Sequence, residues 1–234
     1  RATAEHRSWV GKLRGVEAAD QLHWQSFGPE GQELTIRKSL QNRHITDHGR
    51  DLSPYEAGGP KAPAQEYEIR RMRPEEAVAV SQAMYRAYGT TYTNPDVYYP
   101  DRVAAATASG RSVSFVAVAE TGVVVGHYAL ELNQRGKVAE GGQAVVVPPH
   151  RGRGLMDRMK SEALRYGREA GLAGVYAQAV TLHPYTQKAN VSYGGHLCSA
   201  ELGVLPGSEK LRGIATPETT QRETLLLYFI AFRG

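Results

Sequence analysis

Strand-like and helix-like hydrophobic patterns follow one another along the chain from residue 66 onward. Apolar runs rich in β-branched residues predict strands, and apolar residues three or four positions apart predict helices. The predicted strands are residues 67–72, 112–119, 123–132, 138–147, 174–180, 197–205 and 223–232. The predicted helices are residues 74–88, 101–108, 155–170 and 185–193. Because both hairpins and crossovers connect these strands, the pattern predicts a mixed α/β sheet covered by helices.

The first 65 residues have a different pattern. Residues 45–65 are polar, contain Gly58-Gly59-Pro60 and show no periodicity, which predicts a linker. Residues 1–44 combine helical spacing at 9–20 with two alternating runs around a Gly-Pro-Glu-Gly turn, which predicts a helix and a hairpin. We therefore divide the chain into an appendage (1–44), a linker (45–65) and one domain (66–234).

Composition and charge exclude several classes of protein. The 234 residues carry a net charge of only +4, without the clustered basic excess of a nucleic-acid binder. No apolar run is long enough to span a bilayer and no signal peptide is visible, so we expect a cytoplasmic protein without membrane contacts. The single cysteine, Cys198, excludes an internal disulfide and fits a reducing compartment. Because the sequence begins with Arg1 rather than Met, we expect it to be a piece of a longer protein.

The clearest chemical signal lies between residues 144 and 160. An apolar strand ends at two prolines, which cannot continue a ladder, and a short loop then leads into a helix. In that loop, Gly152 and Gly154 let the backbone approach a ligand closely. The helix adds unpaired N–H groups and the positive end of its dipole, and Arg151 and Arg153 add guanidiniums. This combination predicts an anion site suited to a diphosphate.

Two common phosphate-binding loops do not fit this segment. No Gly-Lys-Ser/Thr closes the loop as in a Walker motif, and Asp157 occupies the third glycine position of a Rossmann fingerprint. The segment instead resembles motif A of the GNAT family of N-acetyltransferases, which is written Gln/Arg-x-x-Gly-x-Gly/Ala after a strand. Arg151 and Gly154 match that motif, and Met156 stands at its last position. Without a ligand, the segment would be a basic strand–turn–helix corner.

The resemblance implies a fold, a co-substrate and a set of donor-binding residues. The fold is a GNAT-like mixed, mostly antiparallel central sheet flanked by helices. The co-substrate is acetyl-coenzyme A, whose pyrophosphate the loop amides hold in that family. The implied donor-binding residues are Val145, Val146, Val147, Arg151, Gly152, Arg153, Gly154, Leu155 and Met156.

A second segment, residues 179–206, carries part of another GNAT pattern. The family pattern is Asn-x-x-Ala-x-x-x-Tyr followed by Gly-Phe, and Thr186, Ala189 and Tyr193 fit its first part with Thr in place of Asn. Gly195 arrives two residues earlier than the family glycine. The family tyrosine often protonates the departing thiolate of coenzyme A. The resemblance therefore implies a tyrosine acid, and either Tyr193, which we favour, or Tyr185 could supply it.

Transfer to an amine also needs a base. Related enzymes often place a glutamate on the strand that enters motif A, and Glu140 occupies that place. His127, on the preceding predicted strand, is a second candidate. The alternative interpretations are a solvated carboxylate at a strand end for Glu140 and a hydrogen-bonded packing residue for His127.

The acceptor is expected to meet the loop between residues 88 and 100, where this family places recognition residues. Tyr88, Tyr92 and Tyr98 offer flat apolar walls with polar tips, and Asp96 could pair with a cationic amine. The alternative is a rigid surface loop packed by its own aromatic rings. The eight histidines show no metal-ligand spacing, so no metal is predicted.

The sequence therefore predicts an N-acyltransferase that moves an acetyl or other acyl group from acetyl-coenzyme A to a small-molecule or peptide amine. The alternative is a non-catalytic acyl-coenzyme A sensor attached to a signalling protein. No nucleic acid is expected as a partner, and a homodimer is left open. The pattern Leu13, Ala19-Asp20, Trp24 and Gly28-Pro29-Glu30-Gly31 resembles the C-terminal edge of a GHKL-type ATPase domain of the anti-sigma-factor kinase kind. That resemblance implies a covalently linked upstream ATPase domain; a simple packing appendage is the preferred alternative.

Overall fold

The computed structural model describes residues 61–132, 137–181, 185–205 and 222–232. The predicted appendage (1–44) lies outside the described residues, as does the predicted linker except for residues 61–65. The division into appendage, linker and domain therefore stays a prediction.

Seven strands form one sheet in the order β1-β2-β3-β4-β5-β7-β6. The strands are β1 Tyr67–Arg71, β2 Ser112–Ala119, β3 Val124–Leu132, β4 Val138–Val146, β5 Gly174–Val180, β6 His196–Leu205 and β7 Glu223–Ala231. Every neighbouring pair is antiparallel except β4 and β5, which run parallel. The predicted mixed, mostly antiparallel α/β sheet is confirmed.

Within the described ranges, four α-helices accompany the sheet. They are α1 Ala77–Tyr88, α2 Pro100–Ala108, α3 Leu155–Glu169 and α4 Tyr185–Ser192. The predicted helix 74–88 differs at its start, where Pro74–Glu76 form a 3-10 turn before α1. The Glu76 carboxylate accepts the backbone N–H of Arg73 at 2.7 Å, which tightens this turn. None of the helices in the described ranges has the length and apolar character needed to cross a membrane.

The two faces of the sheet are covered by different helices. On one face, Leu155, Met159 and Ala163 of α3 are buried, and a Cβ at Gly126 of β3 would come within 2.9 Å of the Met159 side chain. On the other face, α1 and α2 pack on alternate residues of β2, and Val80, Val103 and Val116 belong to one buried cluster. Alternate positions of β2 and β3 therefore face α3 and α1, which gives three layers.

The parallel pair β4–β5 is much shorter than the two strands that form it. Pairing covers only Val138–Glu140 against Gly174–Tyr176, although β4 continues to Val146 and β5 to Val180. β5 remains paired with β7 over its whole length. Beyond Glu140, β4 and β5 therefore separate and leave a gap near the middle of the sheet.

The residues just before β1 are irregular but attached to the domain. Ala62 donates its backbone N–H to the Pro149 carbonyl at 2.9 Å, and Glu66 donates to the Glu120 carboxylate at 2.7 Å. Ala62 of the predicted linker is thus hydrogen-bonded beside the loop that precedes α3, and Glu66 is hydrogen-bonded to the turn between β2 and β3.

Gly174, at the start of β5, allows a close approach of the backbone of β7. A Cβ there would lie 2.5 Å from the Ile230 carbonyl and 2.5 Å from the Phe229 ring, so Gly174→Ala should destabilise the fold by roughly 1–3 kcal/mol. Gly142→Ala is the matched control, because its added Cβ would meet no described atom within 4 Å. Urea denaturation of both variants measures this, and equal free energies of unfolding would contradict the expectation.

Candidate active site

A cleft of about 740 Å³ lies at the gap between β4 and β5. Its walls come from both faces of the sheet: Tyr88 and Glu140 from the α1 face, and Tyr128 and Lys160 from the α3 face. The cleft therefore passes through the gap rather than lying on one surface. Its size and its mixture of apolar walls with few polar groups are typical of small-molecule sites.

One end of the cleft is the loop that leads into α3. Gly152 and Gly154 have φ values of 78° and 67°, which glycine adopts without strain. Gly154 is the residue before the first turn of α3, so the N–H groups of that turn face the cleft end. Arg151 lines the cleft and donates its Nε–H to the Val146 carbonyl at 2.9 Å. This end presents backbone donors and one positive charge, as an anion requires.

Arg153 does not reach the cleft. Its guanidinium donates to the Ala62 carbonyl and lies 5.9 Å from the centre of the Tyr67 ring. Val145 and Val147, also predicted to bind the donor, are buried in the core. The predicted donor-binding residues that line the cleft are Val146, Arg151, Gly152, Gly154, Leu155 and Met156.

Glu140 lies at the point where β4 and β5 part. Its carboxylate accepts the Tyr176 hydroxyl at 3.1 Å and stands directly opposite Glu131 of β3. Burial raises the pKa of Glu140, and the like charge of Glu131 raises it further. A half-buried carboxylate of raised pKa in a cleft has the properties of a general base.

A bulge in β4 follows Glu140. The β3–β4 register shifts between His127 and Ala129, and Gln143 adopts a φ of 50°. The Gln143 amide donates to Glu131, and the Gln143 carbonyl lies 3.0 Å from His127 Nδ1. Because a carbonyl only accepts, Nδ1 must carry the proton. The bulge thus changes the direction of β4 beside the gap. It is stabilised by two hydrogen bonds of Gln143, one with Glu131 and one with His127.

His127, the second predicted base, supports this bulge and does not line the cleft. It is fully buried, and burial lowers the pKa of its imidazole to about 4. The ring is therefore neutral near pH 7. Its observed contact fits the packing interpretation that the sequence left open.

The predicted acceptor residues divide into two groups. Tyr88 and Tyr92 line the cleft with ring centres 5.0 Å apart, and the Tyr88 hydroxyl donates to the Ala144 carbonyl at 2.7 Å. Tyr98 is buried behind them and accepts the Tyr92 backbone N–H at 3.0 Å. Asp96 lies outside the cleft lining and pairs with Arg102 at 2.5 Å. Tyr88 and Tyr92 thus form an aromatic wall of the cleft. The Asp96 carboxylate instead forms an ion pair with Arg102 outside the cleft.

Tyr193, the predicted acid, also lies outside the cleft lining. Its hydroxyl donates to the Asp157 carbonyl at 2.8 Å and lies 3.1 Å from the Ser161 hydroxyl. These contacts fasten the end of α4 to the first turns of α3. The side chain of Tyr185 lies outside the described residues.

Lys160 and Asn190 form a buried polar pair on the cleft wall that the sequence analysis missed. Lys160 Nζ donates to Asn190 Oδ1 at 2.7 Å and lies 4.7 Å from the centre of the Tyr193 ring. Burial lowers the pKa of Lys160 to about 8. The sequence contained one signal for this pair, because Lys160 directly follows the buried stripe residue Met159 on α3.

The chain was compared with protein-family models, curated sequences and solved structures. Residues 80–189 match the model of the acetyltransferase (GNAT) family. No curated protein sequence matches the chain, whereas 429 chains of solved structures do.

The chain has the GNAT fold. A GNAT-family acetyltransferase from Streptococcus pneumoniae is 14% identical, with a TM-score of 0.56 over 71% of this chain and 100% of that one. The ribosomal-protein-S5-alanine acetyltransferase from Vibrio fischeri is 13% identical, with a TM-score of 0.55 over 73% of this chain and 95% of its own. A spermidine/spermine N-acetyltransferase from Vibrio cholerae is 14% identical, with a TM-score of 0.53 over 71% of this chain and 92% of its own.

In this structure, the loop before α3 and the gap between β4 and β5 line the same cleft. Within the described ranges, no group of three or more His, Cys, Asp or Glu side chains could hold a metal ion.

The lowered pKa of Lys160 should appear in the pH dependence of stability. Between about pH 8 and the unfolded lysine value near 10.4, the unfolded chain binds more protons than the folded one, so stability should rise with pH. The difference in unfolding free energy between wild type and Lys160→Met should therefore move by about 3 kcal/mol in favour of wild type across that window. Urea titrations from pH 7 to 10.5 measure it. Parallel curves for the two proteins would show that Lys160 has an ordinary pKa.

Proposed function

We propose that this protein is an N-acyltransferase that moves an acetyl group from acetyl-coenzyme A to a primary amine. The observation that carries the proposal is a single cleft with an anion-binding loop at one end and a carboxylate of raised pKa at the other. The match of residues 80–189 to the acetyltransferase (GNAT) family supports it.

The donor is proposed to enter from the α3 face. Its diphosphate would meet the N–H groups of the first turn of α3 and the Arg151 guanidinium, since charge-assisted hydrogen bonds are the strongest available there. The thioester arm would then run past Lys160 and Asn190 into the gap. Beyond Glu140, β4 no longer pairs with β5, which leaves backbone groups for the amides of the arm.

The acceptor is proposed to enter from the α1 face, between Tyr88, Tyr92 and Glu140. The amine nitrogen attacks the thioester carbonyl carbon, and Glu140 takes the proton that the nitrogen loses. The C–N bond forms, the C–S bond breaks, and coenzyme A leaves as a thiolate that takes up a proton. Most of the rate enhancement would come from positioning, because both reactants are held in one gap.

The Arg151 guanidinium should matter more for donor binding than the Arg153 guanidinium, which is engaged outside the cleft. Arg151→Ala should weaken coenzyme A binding by roughly 1.5–3 kcal/mol, about 10- to 150-fold, and Arg153→Ala should weaken it less. Calorimetry on both variants measures this. Pantetheine, which lacks the diphosphate, should bind wild type and Arg151→Ala equally. Unchanged coenzyme A affinity in Arg151→Ala would contradict the proposal that this loop binds the diphosphate.

The base role of Glu140 has a kinetic signature. Glu140→Gln should lower kcat by roughly 10²–10⁴-fold and leave coenzyme A affinity unchanged. Because the pKa of Glu140 is raised, the acidic limb of the wild-type kcat profile should lie above the ordinary glutamate value, and it should vanish in the variant. Glu131→Gln is the matched charge control: it removes the like charge and should move the limb to lower pH.

Thiol release from acetyl-coenzyme A with a panel of amines and peptides tests the activity itself. Coenzyme A binding without release by any member of the panel would favour the sensor interpretation, which needs no base. Normal turnover and an unchanged pH profile in Glu140→Gln would exclude Glu140 as the base.

A further inference from the structure

Tyr128 combines a buried ring with a hydroxyl in the cleft. Its side chain is only 4% exposed, yet it lines the cleft wall. Tyr128 lies on β3 and pairs with Phe115 of β2, whose ring packs against Tyr166 of α3, so Tyr128 points to the α3 face of the sheet. A phenylalanine ring would pack here equally well, so packing does not explain why this residue carries a hydroxyl.

Gly141 of β4 leaves the space that this hydroxyl occupies. A Cβ at Gly141 would lie 2.2 Å from the Tyr128 oxygen, so no larger residue fits without a shift. The Tyr128 hydroxyl makes no hydrogen bond with another described residue, and its oxygen is not among the fully buried polar atoms that lack a partner, so it is accessible from the cleft. A hydroxyl that opens into a cleft and has no partner in the protein can find its partner in a ligand.

The position of the hydroxyl relative to Glu140 defines its use. Gly141 directly follows Glu140, but the Glu140 carboxylate lies on the α1 face with Glu131, whereas Tyr128 approaches from the α3 face. Tyr128 and Glu140 thus stand on opposite sides of one point on β4, at the start of the gap. A thioester in the gap would have the base on the side of the entering amine and the hydroxyl on the side of the donor.

We propose that the Tyr128 hydroxyl donates a hydrogen bond to the thioester carbonyl oxygen and stabilises the oxyanion that forms when the amine attacks. This role rests on the acyl transfer proposed above. During attack, the C–N bond forms and the carbonyl π electrons move to oxygen, which the hydroxyl stabilises. The carbonyl then re-forms, the C–S bond breaks, and the electron pair of that bond leaves with sulfur. Tyr128 keeps its proton throughout.

The electrostatic surroundings of Tyr128 agree with a donor that does not ionise. Burial raises the pKa of its phenol, and the neighbouring Tyr193 and Glu140 raise it further. The hydroxyl therefore stays protonated over the working pH range. A preorganised donor in a site with little water is the arrangement that stabilises an oxyanion most effectively.

Tyr128→Phe is the direct test, because it removes the hydroxyl and keeps the ring. Wild type is first shown to bind coenzyme A and to release thiol from acetyl-coenzyme A with an amine of the panel; failure there would overturn the proposed function instead. In the variant, kcat should fall by roughly 10²–10³-fold at every pH, while coenzyme A affinity and the pH limbs stay unchanged. An unchanged kcat, or a loss confined to one limb of the profile, would overturn the oxyanion role.

Gly141→Ala supplies an independent test through the same hydroxyl. Its Cβ should displace the Tyr128 oxygen and lower kcat in wild type, but it should have much less effect in the Tyr128→Phe background. Equal effects in both backgrounds would show that Gly141 acts without Tyr128.

Discussion

The short pairing of β4 with β5 is the constraint on which the rest of the site depends. Three residue pairs join two half-sheets that are otherwise extensively hydrogen-bonded. Backbone N–H and C=O groups beyond the pairing must find partners elsewhere. The bulge at Gln143, the His127 contact and the hydroxyl of Tyr88 meet part of this requirement on β4. The cleft lies where this pairing stops, so it arises from an incomplete ladder rather than from an opening between domains.

The gap also separates two kinds of chemistry. The α3 face supplies Arg151, Lys160 and the positive end of a helix dipole, whereas the α1 face supplies Glu131 and Glu140 among aromatic rings. Side chains of opposite charge therefore line the two sides of the same opening.

Sequence patterns predicted the fold well because they record backbone preferences. Alternation and helical spacing located the strands and helices within one or two residues, except at the 3-10 turn of Pro74–Glu76, and the two glycines of the predicted loop adopt positive φ values. Side-chain directions were harder to predict, because they depend on neighbours far away in the chain. Arg153 turns towards Ala62, 91 residues earlier, and the Lys160–Asn190 pair spans 30 residues. Tyr128 depends on an absent side chain at Gly141, which no local pattern reveals.

The hydrogen bonds between Ala62 and the loop before α3 have a consequence for how this part of the chain can be joined to other proteins. Ala62 accepts a hydrogen bond from Arg153 and donates one to Pro149, and these two residues flank Arg151 in the chain. A fusion or truncation made at the first strand would remove both hydrogen bonds, and the loop before α3 would lose these two contacts. A fusion or truncation point should therefore lie upstream of Lys61. The residues just before β1 stabilise the loop before α3 and need to be kept when the chain is joined to another protein.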